Sequence, residues 1–293
     1  MADRTEIAWC DATWSPIRGC TRIAAGCQRC YAERMAARGL PGLNSPTTGN
    51  PFAVMTPSGP RWTGEVELIE SQLEVPLHWR KPRRIFVNSI SDTFHKDVAD
   101  EWLDRIFAVM ALCPQHTFIV LTKRGERLHR HMTTEFMCNR VLEQMIAMTP
   151  DRGVWGWDGM VEMFKHIYLG VSASTRPDLD AQIEHLRATP AAVRFLSLEP
   201  LIADVGTIDL TGIGWCVVGG ESGPGARPCQ IEWIRSVVRQ CAAAGVPCFV
   251  KQMGSVWARE GYDMCHANGE KWNHKGSDPA EWPVDLQVRE MPR

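Results

Sequence analysis

Six short apolar runs, each followed by a helical pattern, constrain the fold of this chain of 293 residues more than any other feature. In chain order the runs are residues 84–90, 117–123, 166–172, 193–199, 214–220 and 247–251, with a further candidate at 64–68. Nearly continuous apolar character is typical of strands that are buried on both faces of a parallel sheet. Strands that alternate with helices indicate βαβ units. We therefore predict an α/β fold, a full or partial (β/α) TIM-like barrel with parallel strands.

The rest of the chain fits a single domain over residues 1–293 with three additions to the barrel. Amphipathic helices are predicted at 98–110, 179–188 and 232–244. Residues 40–62 are rich in Gly, Pro, Ser and Thr and indicate a long loop with little regular structure, as in a lid or binding loop. Residues 132–165 form a Met- and Trp-rich insertion of mostly helical pattern. Residues 254–293 form an irregular C-terminal tail that we expect to pack over one face of the barrel.

Composition and charge limit the functional classes. An apolar content of 44% and a charged content of 23% are ordinary for a globular protein. The formal net charge of −2 gives no overall field for wrapping a nucleic-acid backbone, although local basic clusters permit such contact. No apolar run approaches the roughly 20 residues that span a bilayer, and the N-terminus lacks the layout of a signal peptide. We expect a cytoplasmic protein with no membrane partner, whose 11 cysteines form no disulfides.

Three cysteines, Cys20, Cys27 and Cys30, stand in one short N-terminal loop with the spacing C-x6-C-x2-C. Three thiolates from one loop can hold three corners of a cubane iron–sulfur cluster and leave the fourth iron open to substrate or cofactor. A structural zinc site is an alternative, but it needs four ligands, and Cys10 or Cys265 would have to supply the fourth. Unligated cysteines are a third interpretation. The residues alone leave all three open.

Polar residues and glycines cluster where the predicted strands end. In chain order they are Asn88, Asp92, Lys123, Ser172, Ser174, Glu199, Gly219, Gly220, Glu221 and Lys251. Because the reacting groups of a parallel barrel gather at the C-terminal ends of its strands, this set predicts a site. Each member also has a structural interpretation: Asp92 could cap a helix, and Lys123 and Glu199 could pair across the barrel mouth. The glycines could bring backbone amides close to a carboxylate or phosphate, or simply form a turn.

An ordered set of motifs runs along almost the whole chain. The motifs are Trp9-x-Asp11-Ala-Thr-Trp14-x-Pro16, Gly19-Cys20, Gly26-Cys27-x2-Cys30-Tyr31-Ala32-Glu33, Ser91-Asp92, Leu198-Glu199-Pro200-Leu201, Val218-Gly-Gly-Glu221-Ser-Gly223 and Lys251-Gln252. This set resembles the radical S-adenosylmethionine superfamily, and within it a phage- and prophage-type three-cysteine branch of largely uncharacterised proteins. The chain departs from the superfamily pattern in its first cysteine gap, which is six residues instead of three.

The resemblance implies a [4Fe–4S] cluster ligated by Cys20, Cys27 and Cys30, with S-adenosylmethionine (SAM) bound at the open iron. One-electron cleavage of SAM would give a 5′-deoxyadenosyl radical that abstracts hydrogen from the substrate. On this basis we assign catalytic roles to Asp92, Lys123, Glu199 and Lys251, and cofactor binding to Asn88, Ser172, Ser174, Gly219, Gly220 and Glu221. A reductant protein of the flavodoxin or ferredoxin type is the implied partner.

The substrate is less constrained than the chemistry. The phage association suggests that a nucleobase adduct in DNA is modified or rearranged in the host cytoplasm, by an isomerase, lyase or transferase reaction. Five basic residues would then contact phosphates: Arg80, Arg83, Arg84, Lys123 and Arg124. A free nucleotide, a peptide or an amino acid fits the sequence nearly as well. Two other classes remain, a non-enzymatic zinc- or cluster-stabilised binding module and a metal-dependent (β/α)-barrel hydrolase that uses the strand-end carboxylates.

Overall fold

The computed structural model describes residues 5–39, 43–150, 160–265 and 273–292 of the chain. The described residues contain eleven strands: β1 (Ala12–Trp14), β2 (Ile17–Arg18), β3 (Ala53–Thr56), β4 (Gly59–Trp62), β5 (Glu67–Leu68), β6 (Arg84–Val87), β7 (Thr117–Thr122), β8 (Ile167–Ser172), β9 (Val193–Leu198), β10 (Trp215–Gly219) and β11 (Cys248–Gln252). They contain nine α-helices: α1 (Tyr31–Ala36), α2 (Glu70–Leu73), α3 (Asp100–Ala111), α4 (Gly125–Thr133), α5 (Met137–Met148), α6 (Met160–Met163), α7 (Arg176–Ala188), α8 (Ile231–Ala244) and α9 (Ser255–Cys265).

Seven of the strands form one parallel sheet in the order β1-β6-β7-β8-β9-β10-β11, and this sheet makes a half-barrel. The predicted α/β fold with a partial (β/α) barrel is therefore confirmed. From β6 onward the strands are neighbours in chain order, and α3, α4, α7 and α8 lie in the crossovers between them. Because all seven strands run the same way, their carboxyl ends lie along one edge of the sheet.

The predicted apolar runs account for β6 to β11, but two strand assignments differ from the prediction. The candidate at 64–68 is wrong as a barrel strand, because only Glu67–Leu68 is extended and it pairs antiparallel with Ile17–Arg18 outside the main sheet. The first barrel strand is instead Ala12–Trp14, which pairs in parallel with β6. Three residues are too few to produce a recognisable apolar run, so this strand leaves no clear signal in the sequence.

The two faces of the sheet pack against different partners. On one face, alternate strand residues such as Val120 and Val218 join apolar side chains of the helices in the main core. The opposite, concave face carries an aromatic cluster that includes Trp9, Phe195 and Trp215, and the last two rings lie 5.3 Å apart. The interior of the half-barrel is therefore filled by side chains, as in small closed barrels. None of the described helices is long and apolar enough to cross a membrane.

The predicted loop contains more regular structure than the sequence suggested, and helices lie in the insertion that was expected to be mostly helical. Strands β3 and β4 form an antiparallel hairpin inside the segment 40–62, which was expected to have little regular structure. Most side chains of this hairpin are only partly buried, so apolar and polar residues need not alternate along its strands. Without that alternation the sequence signal for a strand is weak. Residues 40–42 lie outside the described residues. Helices α5 and α6 occupy much of the segment 132–165, of which residues 151–159 are not described.

The C-terminal tail begins with helix α9 and then runs along the open edge of β11. The Val250 amide donates to Val288 O at 2.8 Å, and the Glu290 amide donates to Cys248 O at 2.9 Å. The Arg289 guanidinium lies over the ring of Trp282 at 4.9 Å. An exposed edge strand can pair with other chains, so the tail protects the sheet edge as well as adding contacts.

Candidate functional site

The carboxyl ends of the parallel strands form one edge of the half-barrel, here called the mouth, and the predicted polar residues lie along it. In strand order they are Asn88 after β6, Lys123 after β7, Ser172 at the end of β8, Glu199 after β9, Gly219 at the end of β10 and Lys251 near the end of β11. Their gathering follows from the parallel topology, because every strand brings its last residues to the same edge.

The cysteine loop, residues 19–30, lies over the mouth. Gly26 packs so closely on Ser174, two residues beyond β8, that a Cβ at position 26 would lie 2.2 Å from the Ser174 hydroxyl oxygen. From the β10 side, Arg227 Nη1 donates to the carbonyl oxygen of Ala25 at 2.9 Å. Close contact with residues that follow two different strands holds the loop across the strand ends.

A buried carboxylate ties the cysteine loop to the β3–β4 hairpin. Glu33 in α1 is fully buried and accepts from Nε of Arg22, a residue of the loop, at 2.9 Å. Arg22 Nη2 also donates to Pro60 O at 3.0 Å, and the Trp62 amide donates to Glu33 at 2.8 Å. Glu33 has no predicted role, although it closes the motif that follows the last cysteine. A carboxylate three residues after the cysteine, within an apolar helical stretch, is the signal that could have found it.

Asp92 and Arg124 form a buried ion pair next to the cysteine loop. Arg124 Nη1 lies 2.6 Å from Asp92 Oδ2, and the two side chains are only 11% and 8% exposed. Asp92 also accepts from the Thr122 hydroxyl at 2.7 Å and from the Phe94 amide at 2.9 Å. Arg124 Nη2 donates to Thr21 O at 3.2 Å, which lies in the loop. Asp92, predicted as catalytic, is therefore engaged in positioning Arg124 and, through it, the loop.

The three thiols of the loop are free, and two cations stand close to them. Cys20, Cys27 and Cys30 are each partly exposed and none forms a disulfide. Burial raises the pKa of Cys20 to about 12 and also raises the pKa of Cys30. The positive charges of Arg124 beside Cys20 and of Lys123 near Cys30 act in the opposite direction on these pKa values. The same cations favour the thiolate form of these cysteines.

Within the described residues, the three thiols are not grouped as ligands of a single metal ion. Across the described ranges, no three His, Cys, Asp or Glu side chains are grouped so that they could hold one metal ion. Cys10, one candidate for a fourth zinc ligand, is buried in the aromatic cluster of the concave face, and the side chain of Cys265 is not described. In a cubane cluster each thiolate binds a different iron, so the thiols need not share one ion.

Two linked polar pairs lie at the mouth, and Lys123, Glu199 and Lys251 are partly exposed whereas Ser172 is buried. Lys251 Nζ lies 2.6 Å from Glu199 Oε1, with the side chains 24% and 15% exposed. Lys123 Nζ donates to the Ser172 hydroxyl at 2.8 Å, and that hydroxyl donates to Glu199 O at 3.2 Å. The ion pair that the sequence suggested between Lys123 and Glu199 is replaced by the pair of Glu199 with Lys251. All four predicted residues are nevertheless brought together.

Asn88, predicted to bind a cofactor, is occupied with the fold. It is 3% exposed and has a φ of 55°, in the left-handed region that asparagine tolerates better than most residues. Its side-chain oxygen accepts from the Ile17 amide at 3.0 Å, and its side-chain nitrogen donates to Thr93 at 2.8 Å. Asn88 therefore joins β2 to the turn after β6.

The Gly-Gly-Glu element after β10 also has a packing role. A Cβ on Gly220 would lie 2.2 Å from the carbonyl oxygen of Met253, so the glycine permits close approach to the segment after β11. Glu221 is buried and forms a bidentate ion pair with Arg227, with contacts at 2.5 and 2.9 Å. Since Arg227 also reaches the cysteine loop, Glu221 positions the loop from this side. Gly219 packs on Gln252 in a similar way.

The three carboxylates of the hydrolase alternative are already paired with separate cations. Ion pairs join Asp92 to Arg124, Glu199 to Lys251 and Glu221 to Arg227. A divalent metal would have to displace these cations and draw together carboxylates that follow three different strands. This arrangement does not favour metal-dependent hydrolysis.

The five basic residues predicted as phosphate contacts do not form one surface. Arg84 begins β6 and pairs with Asp11 at 2.9 Å, and Arg83 lies over the ring of Trp79. Lys123, in contrast, follows the end of β7. Since β6 and β7 are parallel neighbours, the arginines at 80–84 lie at the opposite end of the sheet from the mouth.

Substitution of Gly26 by alanine is expected to displace the cysteine loop from the mouth. The new Cβ would overlap the Ser174 side chain, whose buried hydroxyl has no hydrogen-bond partner among the described residues. Overpacking of this kind costs about 1–3 kcal/mol in unfolding free energy. Adding Ser174→Ala removes the overlapping oxygen, so the double variant should recover part of the loss, as chemical denaturation can measure. Strictly additive losses from Gly26→Ala and Ser174→Ala would contradict the contact.

The fold and the site together define an α/β half-barrel protein with a three-cysteine loop across the carboxyl ends of its parallel strands. The chain belongs to the family described as "protein of unknown function (DUF5131)", whose family model matches residues 4–282. The match covers the half-barrel, the cysteine loop and most of the tail. Searches among curated proteins and among solved structures found no match.

Proposed function

We propose that this protein is a radical SAM enzyme in which Cys20, Cys27 and Cys30 ligate a [4Fe–4S] cluster. The observation that carries the proposal is the position of the cysteine loop, which packs through Gly26 on Ser174 at the mouth. Three free thiols, two nearby cations and an adjacent set of accessible polar groups suit a cluster that binds a second molecule at its open iron. When bound, the cluster would supply the electron that cleaves SAM to methionine and a 5′-deoxyadenosyl radical.

The residues of the mouth suit the binding of SAM. The methionine part of SAM carries one ammonium and one carboxylate group, and Glu199 and Lys251 carry the complementary charges. Their mutual ion pair would have to open for both to contact SAM. Lys123 and Ser172, which are hydrogen-bonded to each other, lie on the same edge and are the further candidates for orienting ligand groups. Asn88, Asp92 and Glu221 act by positioning the backbone and the cysteine loop, because their polar atoms are bonded within the protein.

The substrate and the partner are proposed from the sequence resemblance. We propose a nucleobase adduct in DNA as the substrate, modified or rearranged in the cytoplasm by an isomerase, lyase or transferase reaction. A reductant of the flavodoxin or ferredoxin type would deliver the electron. The partly exposed loop, with Cys27 and Cys30 both accessible, is the surface nearest to the proposed cluster.

An anaerobic assay for 5′-deoxyadenosine tests the proposal. Protein purified without oxygen should contain iron and sulfide and should convert SAM to 5′-deoxyadenosine and methionine when a chemical reductant is added. Omission of the reductant is the control and should stop product formation. Protein that holds a full complement of iron and sulfide yet forms no 5′-deoxyadenosine would contradict the proposal, as would protein that retains one zinc and no iron.

A further inference from the structure

A cavity of about 520 Å³ opens beside the cysteine loop, between the start of α3, the first turns of α4 and the middle of α7. This volume lies within the range of small-molecule sites in proteins. Six basic side chains line it: Lys96, Lys123, Arg124, Arg127, Arg130 and His185. Apart from Lys123 and Arg124, none of these residues was singled out in the sequence, because they come from three separate segments.

The charge of this basic cavity favours an anion. Its lining includes five Lys and Arg side chains against two carboxylates, Asp100 and Glu126. Two of the cations are paired with carboxylates outside the lining, Arg124 with Asp92 and Lys96 with Asp97. Arg127 is partly occupied, since it pairs with Asp100 at 3.1 Å and donates to backbone carbonyls. Its Nε is nevertheless buried without a hydrogen-bond partner in the described part of the chain. The guanidinium of Arg130, which is exposed, has no partner there either.

Helix α4 adds positive potential at the same place. It begins at Gly125, which lines the cavity, so the partial positive charge of its N-terminus faces the same space as the cations. The Gly125 amide is itself bonded to Gln182 at 2.6 Å, which fixes α4 against α7. Lysine and arginine side chains around a helix start are a common arrangement for binding phosphate.

We propose that the basic cavity binds a phosphate group of a nucleotide substrate. The role of this phosphate in the reaction rests on the proposed function, whereas the binding itself does not. Arg124 connects the basic cavity to the cysteine loop, because it lines the cavity and also donates to Thr21 in the loop. A phosphate held there places the attached nucleoside next to the loop. The other arginines predicted to contact phosphates, Arg80, Arg83 and Arg84, do not contribute to this cavity, since they lie at the opposite end of the sheet.

Binding to the full-length protein tests this inference with Arg130→Glu and the matched control Arg239→Glu. Arg239 is an exposed arginine on α8, away from the cavity. The probes are a fluorescently labelled single-stranded DNA oligonucleotide and a deoxynucleoside 5′-monophosphate. Arg130→Glu should weaken binding about tenfold, because a charge-assisted contact is replaced by repulsion. For the oligonucleotide it should also reduce the salt dependence by about one unit of slope.

Two probes separate the possible sources of the phosphate. Weaker binding of the oligonucleotide alone assigns the cavity to a nucleic-acid strand, and weaker binding of the monophosphate assigns it to a nucleotide; both support the inference. Equal affinities of Arg130→Glu and Arg239→Glu for both probes overturn it, as does undetectable binding by the unmodified protein. Formation of 5′-deoxyadenosine is scored separately, so that failure of the proposed function and failure of this inference give different results.

Discussion

Replacement of Cys27 by alanine is expected to abolish cluster binding and, with it, 5′-deoxyadenosine formation. A three-cysteine site has no spare protein ligand, so the loss of one thiolate leaves two irons without protein ligands. Iron content should fall from about four atoms per chain towards zero, and the broad visible absorbance of an iron–sulfur cluster should disappear. The backbone contacts of Cys27 remain, because its amide donates to Ala24 O and its carbonyl accepts from Cys30 in any variant.

Cys138→Ala is the matched control for this experiment. Cys138 is also a free, partly exposed cysteine, but it lies on α5 and packs against the main core. Its substitution should leave iron content and product formation unchanged. Thermal unfolding of both variants separates cluster loss from general damage to the fold. Full iron content in Cys27→Ala would show that the cysteine loop is not the cluster site.

The fold could be predicted where the sequence signal is local. Each strand from β6 to β11 is an apolar run that is buried on both faces, and burial on both faces leaves a signal that does not depend on distant residues. Strand β5 shows the limit: Val66 and Leu68 alternate with polar residues as in a strand, but the partner is Ile17–Arg18 and the pairing is antiparallel. The choice of partner depends on chain segments about 50 residues apart, and nothing in either segment alone determines it.

The sequence predicts which polar residues lie at the mouth, but not which of them form hydrogen bonds or ion pairs with each other. Parallel topology alone brings Lys123, Ser172, Glu199 and Lys251 to one edge, which is why strand-end position predicted them. Their pairing depends on the curvature of the sheet, which brings Lys251 of β11 to Glu199 after β9. The role of Asn88 in joining β2 to the turn after β6 could not be predicted, because its backbone conformation and its bond to the Ile17 amide have no signature in the sequence.

Several buried polar groups of the mouth serve to hold the cysteine loop. Three carboxylate–arginine pairs do this: Glu33 with Arg22, Asp92 with Arg124, and Glu221 with Arg227. Each of these arginines also belongs to the loop or donates to one of its carbonyl oxygens. Placing a charged pair in a buried position costs desolvation energy, so the arrangement serves specificity of position more than stability. The proposed cluster would require three thiols in fixed positions, which such pairs can provide.

Asp92→Ala is expected to lower the free energy of unfolding by about 3–5 kcal/mol, the cost of removing one partner from a buried ion pair. The substitution leaves Arg124 buried without its carboxylate and also removes the acceptor of the Thr122 hydroxyl and the Phe94 amide. Urea unfolding of the variant measures the loss. Asp92→Asn should lose less, because it keeps the shape and one acceptor oxygen.

Asp11→Ala provides the matched control, since Asp11 pairs with Arg84 at 2.9 Å but both side chains are 40% or more exposed. An exposed pair of this kind contributes less than about 1 kcal/mol, so this variant should unfold close to the unmodified protein. A loss in Asp92→Ala no larger than that in Asp11→Ala would contradict the buried pair. Because Arg124 holds Thr21, Asp92→Ala should in addition lower the iron content of anaerobically purified protein, whereas Asp11→Ala, at the opposite end of the sheet, should leave it unchanged.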